Sequence, residues 1–275
     1  MWRFRTTGVA GATIRNDISG INSFLHYHGL GIPLGKNHSE RLQRFYRGVD
    51  RTRATQGLGQ KRFIRRALVN DILNAMLELV PRNSRQGQTI RACLLFAKHT
   101  AFRCHNYIYT RHGGHVRIKD ITFIPSKESP RYFIVTVPRS KTHQIDSRTR
   151  ETRTVHCRCH LGPCPVHELA ELLKGRDEPN EALFLLENGF PMTYSILRQI
   201  LRTLCEGVGV EWQYYTPHAL RIGEATDRTL QGDPVARTMK FIGWRSEKSA
   251  LIYIRPDNPD FAKFDVKLSN VYEVH

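Results

Sequence analysis

Two short β-rich runs interrupt a chain whose other apolar residues recur mainly at helical spacing. VRIKDITFI (residues 116–124) and RYFIVTVP (residues 131–138) are separated by PSKESP, whose prolines and serines favour a turn. The later segment TRTVH (residues 152–156) is also strand-like. A sheet built from so few short runs must be small, so helices have to supply most of the core. The sequence therefore predicts a mixed α+β, mostly helical fold with a small antiparallel sheet.

Helical periodicity covers most of the chain on both sides of these strands. Apolar residues at helical spacing predict helices over residues 12–28, 39–50, 64–80, 88–105, 165–175, 193–206, 217–231 and 246–254. The segment RTRATQGLGQKR (residues 51–62) is instead Gly-rich, polar and basic, which is typical of an exposed linker. We therefore expect a small helical domain at residues 1–55, a larger domain at 62–260 and a tail at 261–275.

The chain carries a large excess of positive charge along its whole length. It has 42 Lys and Arg against 25 Asp and Glu, a formal net charge of +17 in 275 residues. Such a surface is suited to a polyanion, and nucleic acid is the leading candidate. The alternative, charges that merely solvate a surface, does not explain an excess of this size. The 40% hydrophobic content is enough for a full core, which argues against a disordered chain.

The sequence also limits where the protein is expected to work. No apolar run is long enough to span a membrane, and the start MWRFRTTGVAGATIRND lacks the apolar region of a secretory signal. We therefore expect an intracellular protein with no membrane partner. In a reducing compartment, its six cysteines are better interpreted as reduced thiols or metal ligands than as a disulfide framework.

Four residues form an ordered series in the segments HALRIG, IGWRS and LIYIR. His218 and Arg221 are three residues apart and share one face of a predicted helix, Trp244 follows them, and Tyr253 lies on the next predicted helix. Taken singly each residue is weak support, because a tyrosine between isoleucines usually packs in a core. The order H-x-x-R, then Trp or His, then Tyr resembles the active-site box of the tyrosine recombinase (phage integrase) family.

The resemblance implies an integrase-like catalytic domain and two further site residues upstream. Arg103, in HTAFRCHNYI, stands where the family's first arginine is expected, on a buried helix before the sheet. Lys141, in VPRSKTHQ, stands where a lysine is expected in a turn between strands. The resemblance extends over most of residues 64–255.

The chemistry that the resemblance implies is DNA strand exchange through a covalent 3′-phosphotyrosyl link to Tyr253. Arg103 and Arg221 would hold the phosphate, because a guanidinium stays charged and can donate two parallel hydrogen bonds. His218 would help to deprotonate the phenol, and Lys141 would protonate the leaving sugar oxygen. The bond energy is conserved, so this reaction requires no metal or nucleotide cofactor.

The family also implies partners, and the sequence departs from its pattern at three places. Double-stranded DNA is the expected partner, with a homotetramer assembled on it, and the expected origin is an integrase of a transposable or viral element. The nucleus is the expected compartment in a eukaryotic cell. Trp244 stands where many relatives have histidine, so it is expected to donate its indole N–H and to pack the site. Asn106 stands where the family usually has an acid that orients the first arginine, and an amide oxygen could accept the same hydrogen bond.

The third departure is the short amino-terminal region, which predicts an incomplete DNA-clamp domain in a fragment or truncated copy of a mobile-element gene. Two other functions are therefore open alongside the recombinase. One is a recombinase-derived DNA-binding protein without catalytic activity, which Asn106 and the short front end favour. The other is a type IB topoisomerase, which shares the tyrosine chemistry but religates the same strand; the short chain and the H-x-x-R spacing disfavour it.

A separate cluster of cysteine and histidine lies in VHCRCHLGPCPVHEL. Cys157, Cys159, Cys164 and His167 could hold a tetrahedral structural zinc ion and fix the loop between the sheet and the next helix. The spacing C-x-C-x4-C-x2-H is not a common zinc pattern. The alternative is a set of reduced cysteines in a turn with Pro163 and Pro165.

Overall fold

A computed structural model describes residues 11–30, 39–55, 64–138, 151–244 and 246–264. The chain divides into two compact units, one within residues 1–63 and the other within residues 64–275. Among the described residues, no helix combines the length and the apolar character that a membrane span requires. The mixed, mostly helical fold with a small antiparallel sheet is confirmed.

The first unit contains two helices that pack on each other, α1 (Gly11–Tyr27) and α2 (Ser39–Thr55). The backbone N–H of Gly11 donates to Asp50 at 2.9 Å, and the Arg15 guanidinium lies 4.9 Å from the centre of the Tyr46 ring. Helix α2 includes the first five residues of the predicted linker, because RTRAT contains no helix breaker and the first glycine is Gly57. The rest of the linker, residues 56–62, lies outside the described residues.

The second unit contains seven helices among the described residues: α3 (Asn70–Glu78), α4 (Arg85–Thr100), α5 (Pro165–Leu172), α6 (Tyr194–Gly207), α7 (Pro217–Leu230), α8 (Val235–Ile242) and α9 (Glu247–Tyr253). Local signals explain where several of them begin. Ser84 caps α4 by accepting a hydrogen bond from Gly87 at 3.0 Å, and proline occupies the first turn of α5 and α7.

Helix α4 is the centre of this unit. Every residue from Arg91 to Thr100 is buried, and α4 packs against α5 and α7. Its Phe96 ring stacks on Phe133 of the sheet with 5.8 Å between centroids. A helix that is buried on all sides belongs inside a core, and here it places the residues that follow Thr100 in the middle of the domain.

The sheet has three antiparallel strands in the order β1 (Ile121–Ile124), β2 (Tyr132–Thr136) and β3 (Thr152–His156). Phe133 pairs with Phe123 on one side and with Val155 on the other. Alternate residues of β3 are buried, so Arg153 points to the same side of the sheet as Val155.

Two predicted boundaries were wrong, and one helix was missed. Residues 64–69 precede α3 as non-helical chain, because their backbone bonds to the segment around α7, with Leu68 donating to Ala219 at 3.1 Å. Helix α4 ends at Thr100 instead of 105, because Ala101 adopts a left-handed conformation with φ of 50°. The short helix α8 was missed because its sequence VARTMKFI is only eight residues long, too short for a clear helical period.

Candidate active site

Arg221 is the most buried of the predicted site residues, with 2% of its surface exposed. It lies on α7, and its guanidinium donates to the carbonyl of Ala101, just after α4, and to the carbonyl of Ile242, at the end of α8, at 2.9 Å. Two of its five N–H groups are therefore used to fix its orientation. The others are free of carboxylates, since none of the ion pairs among the described residues includes Arg221.

Arg103 follows two residues after Ala101, in an extended conformation with φ of −68° and ψ of 143°. It is not on a helix, contrary to the prediction, because the left-handed turn at Ala101 has already ended α4. Its side chain is partly buried, and among the described residues no carboxylate pairs with it. Two cations, Arg103 and Arg221, therefore lie near each other, and no carboxylate of the described residues pairs with either.

The charge of this pair is reflected in the pKa of Arg221. Burial and the nearby charge of Arg103 lower the pKa of Arg221 to about 9, although the carboxylate of Glu151 opposes the shift. The guanidinium remains charged at neutral pH. An anion bound between Arg103 and Arg221 would relieve their repulsion, so the arrangement is suited to binding a phosphate group.

His218 and Tyr253 face each other across this site. Their rings lie 5.2 Å apart between centroids, with an angle of 67° between planes. Burial, followed by the charges of Arg65, Arg221 and Arg103, lowers the pKa of His218 to about 4. The imidazole is therefore neutral at pH 7, and its Nε2 atom is buried with no hydrogen-bond partner among the described residues.

Tyr253 is the last residue of α9 and is held from two sides. Its ring stacks on Trp244, with 4.9 Å between centroids and 22° between planes. The Trp244 ring in turn lies 5.7 Å from the guanidinium carbon of Arg221. The chain beyond the helix is fixed to α7, because the backbone N–H of Arg255 donates to the Thr226 hydroxyl at 3.1 Å. The structure thus brings together Arg103, His218, Arg221, Trp244 and Tyr253.

The structure does not describe Lys141, and it does not form the hydrogen bond expected for Asn106. Lys141 lies outside the described residues, so its position relative to the site stays a prediction. Asn106 is 1% exposed, and its Oδ1 atom is buried without a partner among the described residues. The expected hydrogen bond from Arg103 to the Asn106 amide oxygen is therefore not formed.

Sequence reasoning missed an ion pair beside the site. Arg153 and Glu151 are each 8% exposed and bond at 2.6 Å, and the Arg153 guanidinium lies 5.4 Å from the Phe102 ring and 5.5 Å from the Phe241 ring. Gly243 is confined against them: a Cβ there would lie 3.3 Å from Nη2 of Arg153. The signal was present in the strand TRTVH, because alternation places an arginine on the buried face.

The cysteine and histidine cluster is also assembled. The ligand atoms of Cys157, Cys159, Cys164 and His167 all lie within 4.8 Å of one another, so this group could hold a metal ion. The cluster joins the end of β3 to the first turn of α5.

A comparison with protein-family models assigns the class of the protein. The model of the phage integrase family matches residues 62–259, and the chain belongs to this family. A comparison with curated protein sequences found no match.

Several solved structures are similar to this chain. The Tn1549 transposon integrase in complex with transposon right end DNA is 15% identical, with a TM-score of 0.58, over 96% of this chain and 81% of the other. The XerA recombinase is 16% identical, with a TM-score of 0.52, over 95% and 78%. The XerH site-specific recombinase, in a pre-cleavage complex with difH substrate, is 15% identical, with a TM-score of 0.49, over 69% and 50%. The chain thus spans about half the length of XerH.

Proposed function

We propose that this chain is a tyrosine site-specific recombinase that breaks and rejoins double-stranded DNA through a covalent 3′-phosphotyrosyl intermediate on Tyr253. The observation that carries the proposal is the grouping of Arg103 and Arg221, which pair with no carboxylate in the described part of the chain, beside the phenol of Tyr253 and a neutral His218. Membership of the phage integrase family supports the same reaction.

The two guanidiniums supply the electrostatic part of the reaction. A phosphodiester gains negative charge on its nonbridging oxygens in the transition state, and fixed cationic donors lower the barrier most where that charge develops. Arg221 is already oriented by the carbonyls of Ala101 and Ile242. Its orientation therefore needs little reorganisation when DNA binds, while Arg103, which pairs with no carboxylate among the described residues, can close on the phosphate.

Tyr253 is the proposed nucleophile and His218 its proton acceptor. Forming a phenolate at pH 7 costs about 4 kcal/mol, because the pKa of tyrosine is near 10. A neutral imidazole with an unpartnered Nε2 can accept that proton. The scissile phosphate adds negative charge beside the arginines that lower the pKa of His218, so DNA binding raises that pKa toward a more effective range.

The remaining steps balance without an external energy source. The phenol oxygen of Tyr253 forms a bond to phosphorus, and the bond from phosphorus to the 5′ oxygen breaks. We assign the proton for that leaving oxygen to the ammonium group of Lys141. A free hydroxyl of another strand then attacks the phosphotyrosyl bond and releases the phenol, so each phosphodiester lost is replaced and no nucleotide or metal is consumed.

The net charge of the chain supports DNA as the partner, and the number of DNA strands that must be cut supports a tetramer. A net charge of +17 favours a polyanion held over a wide surface. The Tn1549 transposon integrase, which has a similar fold, was solved in complex with transposon right end DNA. This similarity supports DNA as the partner and a mobile element as the origin. Exchanging both strands of two duplexes requires four cleavages, so we propose a homotetramer in which residues 1–55 clamp DNA, residues 62–260 carry the chemistry and the segment 258–275 contacts a neighbouring subunit.

A DNA-binding protein without cleavage activity is the second candidate. Asn106 favours it, because it stands in place of the acid that usually orients the first arginine, and its Oδ1 has no hydrogen-bond partner among the described residues. A suicide DNA substrate separates the two functions. The recombinase forms a protease-sensitive covalent adduct that disappears in Tyr253→Phe and persists in Tyr194→Phe, a matched change at an exposed tyrosine. A protein that shifts DNA in gels but forms no adduct would be the binding protein.

A further inference from the structure

The cluster at the end of β3 has the composition and geometry of a metal centre that the recombination chemistry does not use. We propose that Cys157, Cys159, Cys164 and His167 bind a structural zinc ion that ties the end of β3 to the start of α5. This inference is independent of the proposed function, because none of the four residues belongs to the group around Tyr253.

The distances between the ligand atoms fit a tetrahedral ion. The Sγ atom of Cys157 lies 3.4 Å from that of Cys159 and 3.7 Å from that of Cys164. The Nδ1 atom of His167 lies 3.1 Å from the Cys159 sulfur and 3.8 Å from the Cys157 sulfur. Zn–S bonds of about 2.3 Å and a Zn–N bond of about 2.0–2.1 Å give tetrahedral edges of about 3.5–3.8 Å. Small side-chain adjustments would therefore complete the site.

The backbone around the cluster already holds the ligands in place. Cys157 directly follows β3, and its N–H donates to the Arg131 carbonyl at 2.8 Å. Cys164 occupies the N-cap position of α5, and its sulfur accepts a hydrogen bond from the Arg158 N–H at 3.3 Å. Groups that donate a hydrogen bond to a metal ligand, as the Arg158 N–H does to the Cys164 sulfur, help to hold that ligand in position. His167 lies in the first turn of α5, so two ligands come from the helix end and two from the preceding loop.

The ligand types select zinc and a structural role. Three thiolates and one imidazole are a common set for closed, four-coordinate zinc sites, in which no position is left for water or substrate. On binding, the three thiols release their protons to solvent, and no electron is transferred. A disulfide between two of these cysteines would leave the third sulfur and the imidazole without a function.

The position of the ion explains what it would stabilise. Helix α5 packs on α4, and Glu168, next to His167, bonds to the Arg91 guanidinium of α4 at 2.6 Å. Arg91 is itself 1% exposed. Zinc would therefore connect the third strand of the sheet to a helix that is already fixed to the core, and its loss would loosen that strand.

The test uses the full chain purified under reducing conditions without chelator. We expect one zinc per chain by elemental analysis, and after exchange for cobalt(II) a visible spectrum of tetrahedral thiolate coordination. Removing the metal with a chelator should lower the melting temperature by about 5 °C or more, and added zinc should restore it. A protein that is purified without zinc and gives no tetrahedral spectrum when cobalt(II) is added would overturn the proposal.

Matched variants distinguish a metal site from a loop that is merely sensitive to change. The double variant Cys157→Ser, Cys159→Ser should lose zinc, whereas His160→Ala, which removes an exposed imidazole from the same loop, should keep it. If the double variant fails to fold, His167→Cys still tests whether residue 167 is a metal ligand. This variant should bind cobalt(II) with the stronger charge-transfer absorption of four thiolates. Zinc retained by the double variant, an unchanged cobalt spectrum in His167→Cys, or a disulfide among these cysteines would each contradict the assignment.

Discussion

Helices α4 and α7 carry two kinds of buried cation close to each other. Lys98 of α4 is fully buried and forms an ion pair with Asp227 of α7, whose carboxylate also accepts a hydrogen bond from the backbone of Asn70 at 3.0 Å. Arg221, six residues before Asp227 on α7, is 2% exposed and donates to backbone carbonyls instead of to a carboxylate. The charge of Lys98 is neutralised by Asp227, whereas none of the described carboxylates pairs with Arg221.

The difference separates a structural charge from a functional one. Removing an ion from water costs several kcal/mol, and a partner of opposite charge recovers much of that cost. The Lys98–Asp227 pair is thus explained by the fold alone. Arg221 and Arg103 leave positive charge unbalanced in a partly buried site, which is expected where an anionic substrate completes the charge balance.

The strongest test of this distinction is Arg221→Ala. We expect covalent adduct formation to fall about 10³–10⁵-fold, or about 4–7 kcal/mol, because a cation that stabilises phosphoryl transfer is lost. DNA affinity should change little, because only one phosphate contact among several is removed. Single-turnover adduct formation and gel shifts over a range of salt concentrations measure the two effects.

The control for Arg221 is Arg202→Ala on α6, where the arginine is half exposed and pairs with Glu206 at 2.9 Å. That change should leave adduct formation unaltered. Equal losses of DNA affinity and of adduct formation in Arg221→Ala would show that Arg221 serves binding and not the transition state.

Breaking the Lys98–Asp227 pair should instead lower the stability of the fold. Asp227→Ala leaves the ammonium of Lys98 buried without its carboxylate, so the free energy of unfolding should fall by about 3–5 kcal/mol. Asp233→Ala is the matched change, because Asp233 pairs with Arg228 and Arg237 but is partly exposed, and its loss should cost about 0–1 kcal/mol. Urea denaturation measures both, and losses of similar size would undo the comparison.

Glu151→Gln tests whether the ion pair beside the site contributes to stability, to catalysis or to both. The change removes the buried partner of Arg153 at 2.6 Å, so stability should fall by about 1–3 kcal/mol. Because Arg153 contacts Phe102, directly before Arg103, we also expect a several-fold decrease in adduct formation. A decrease as large as that of Arg221→Ala would instead make Glu151 part of the catalytic group.

The smallest expected effect is the pH dependence of stability that His218 contributes. Its pKa is lowered to about 4 in the fold, against about 6.5 in an unfolded chain. The unfolded state therefore takes up a proton first, and stability is lost as the pH falls from about 6.5 to about 4. Replacing His218 by Gln should reduce this loss by about 1–2 kcal/mol, allowing for solvent screening of a partly exposed ring. Urea midpoints at both pH values measure it, and a steeper loss in the variant would be contrary to the assignment.

The sequence by itself determined the features that depend on neighbouring residues. The β-rich run RYFIVTVP predicted a strand, apolar residues at helical spacing predicted helices near 165–175 and 217–231, and the order of His218, Arg221, Trp244 and Tyr253 indicated the site. The cysteine and histidine cluster was equally visible, because its four ligands lie within eleven residues. These signals are local, so they can be detected without knowing how the chain folds.

Only the tertiary structure decided which charges are neutralised. Lys98 meets Asp227 across 129 positions of sequence, and Arg221 meets the Ala101 carbonyl across 120. The left-handed turn at Ala101, which takes Arg103 off the helix, also has no signature in the local pattern. Electrostatic balance is set by distances in space, and residues far apart in the sequence acquire those distances only when the core has packed.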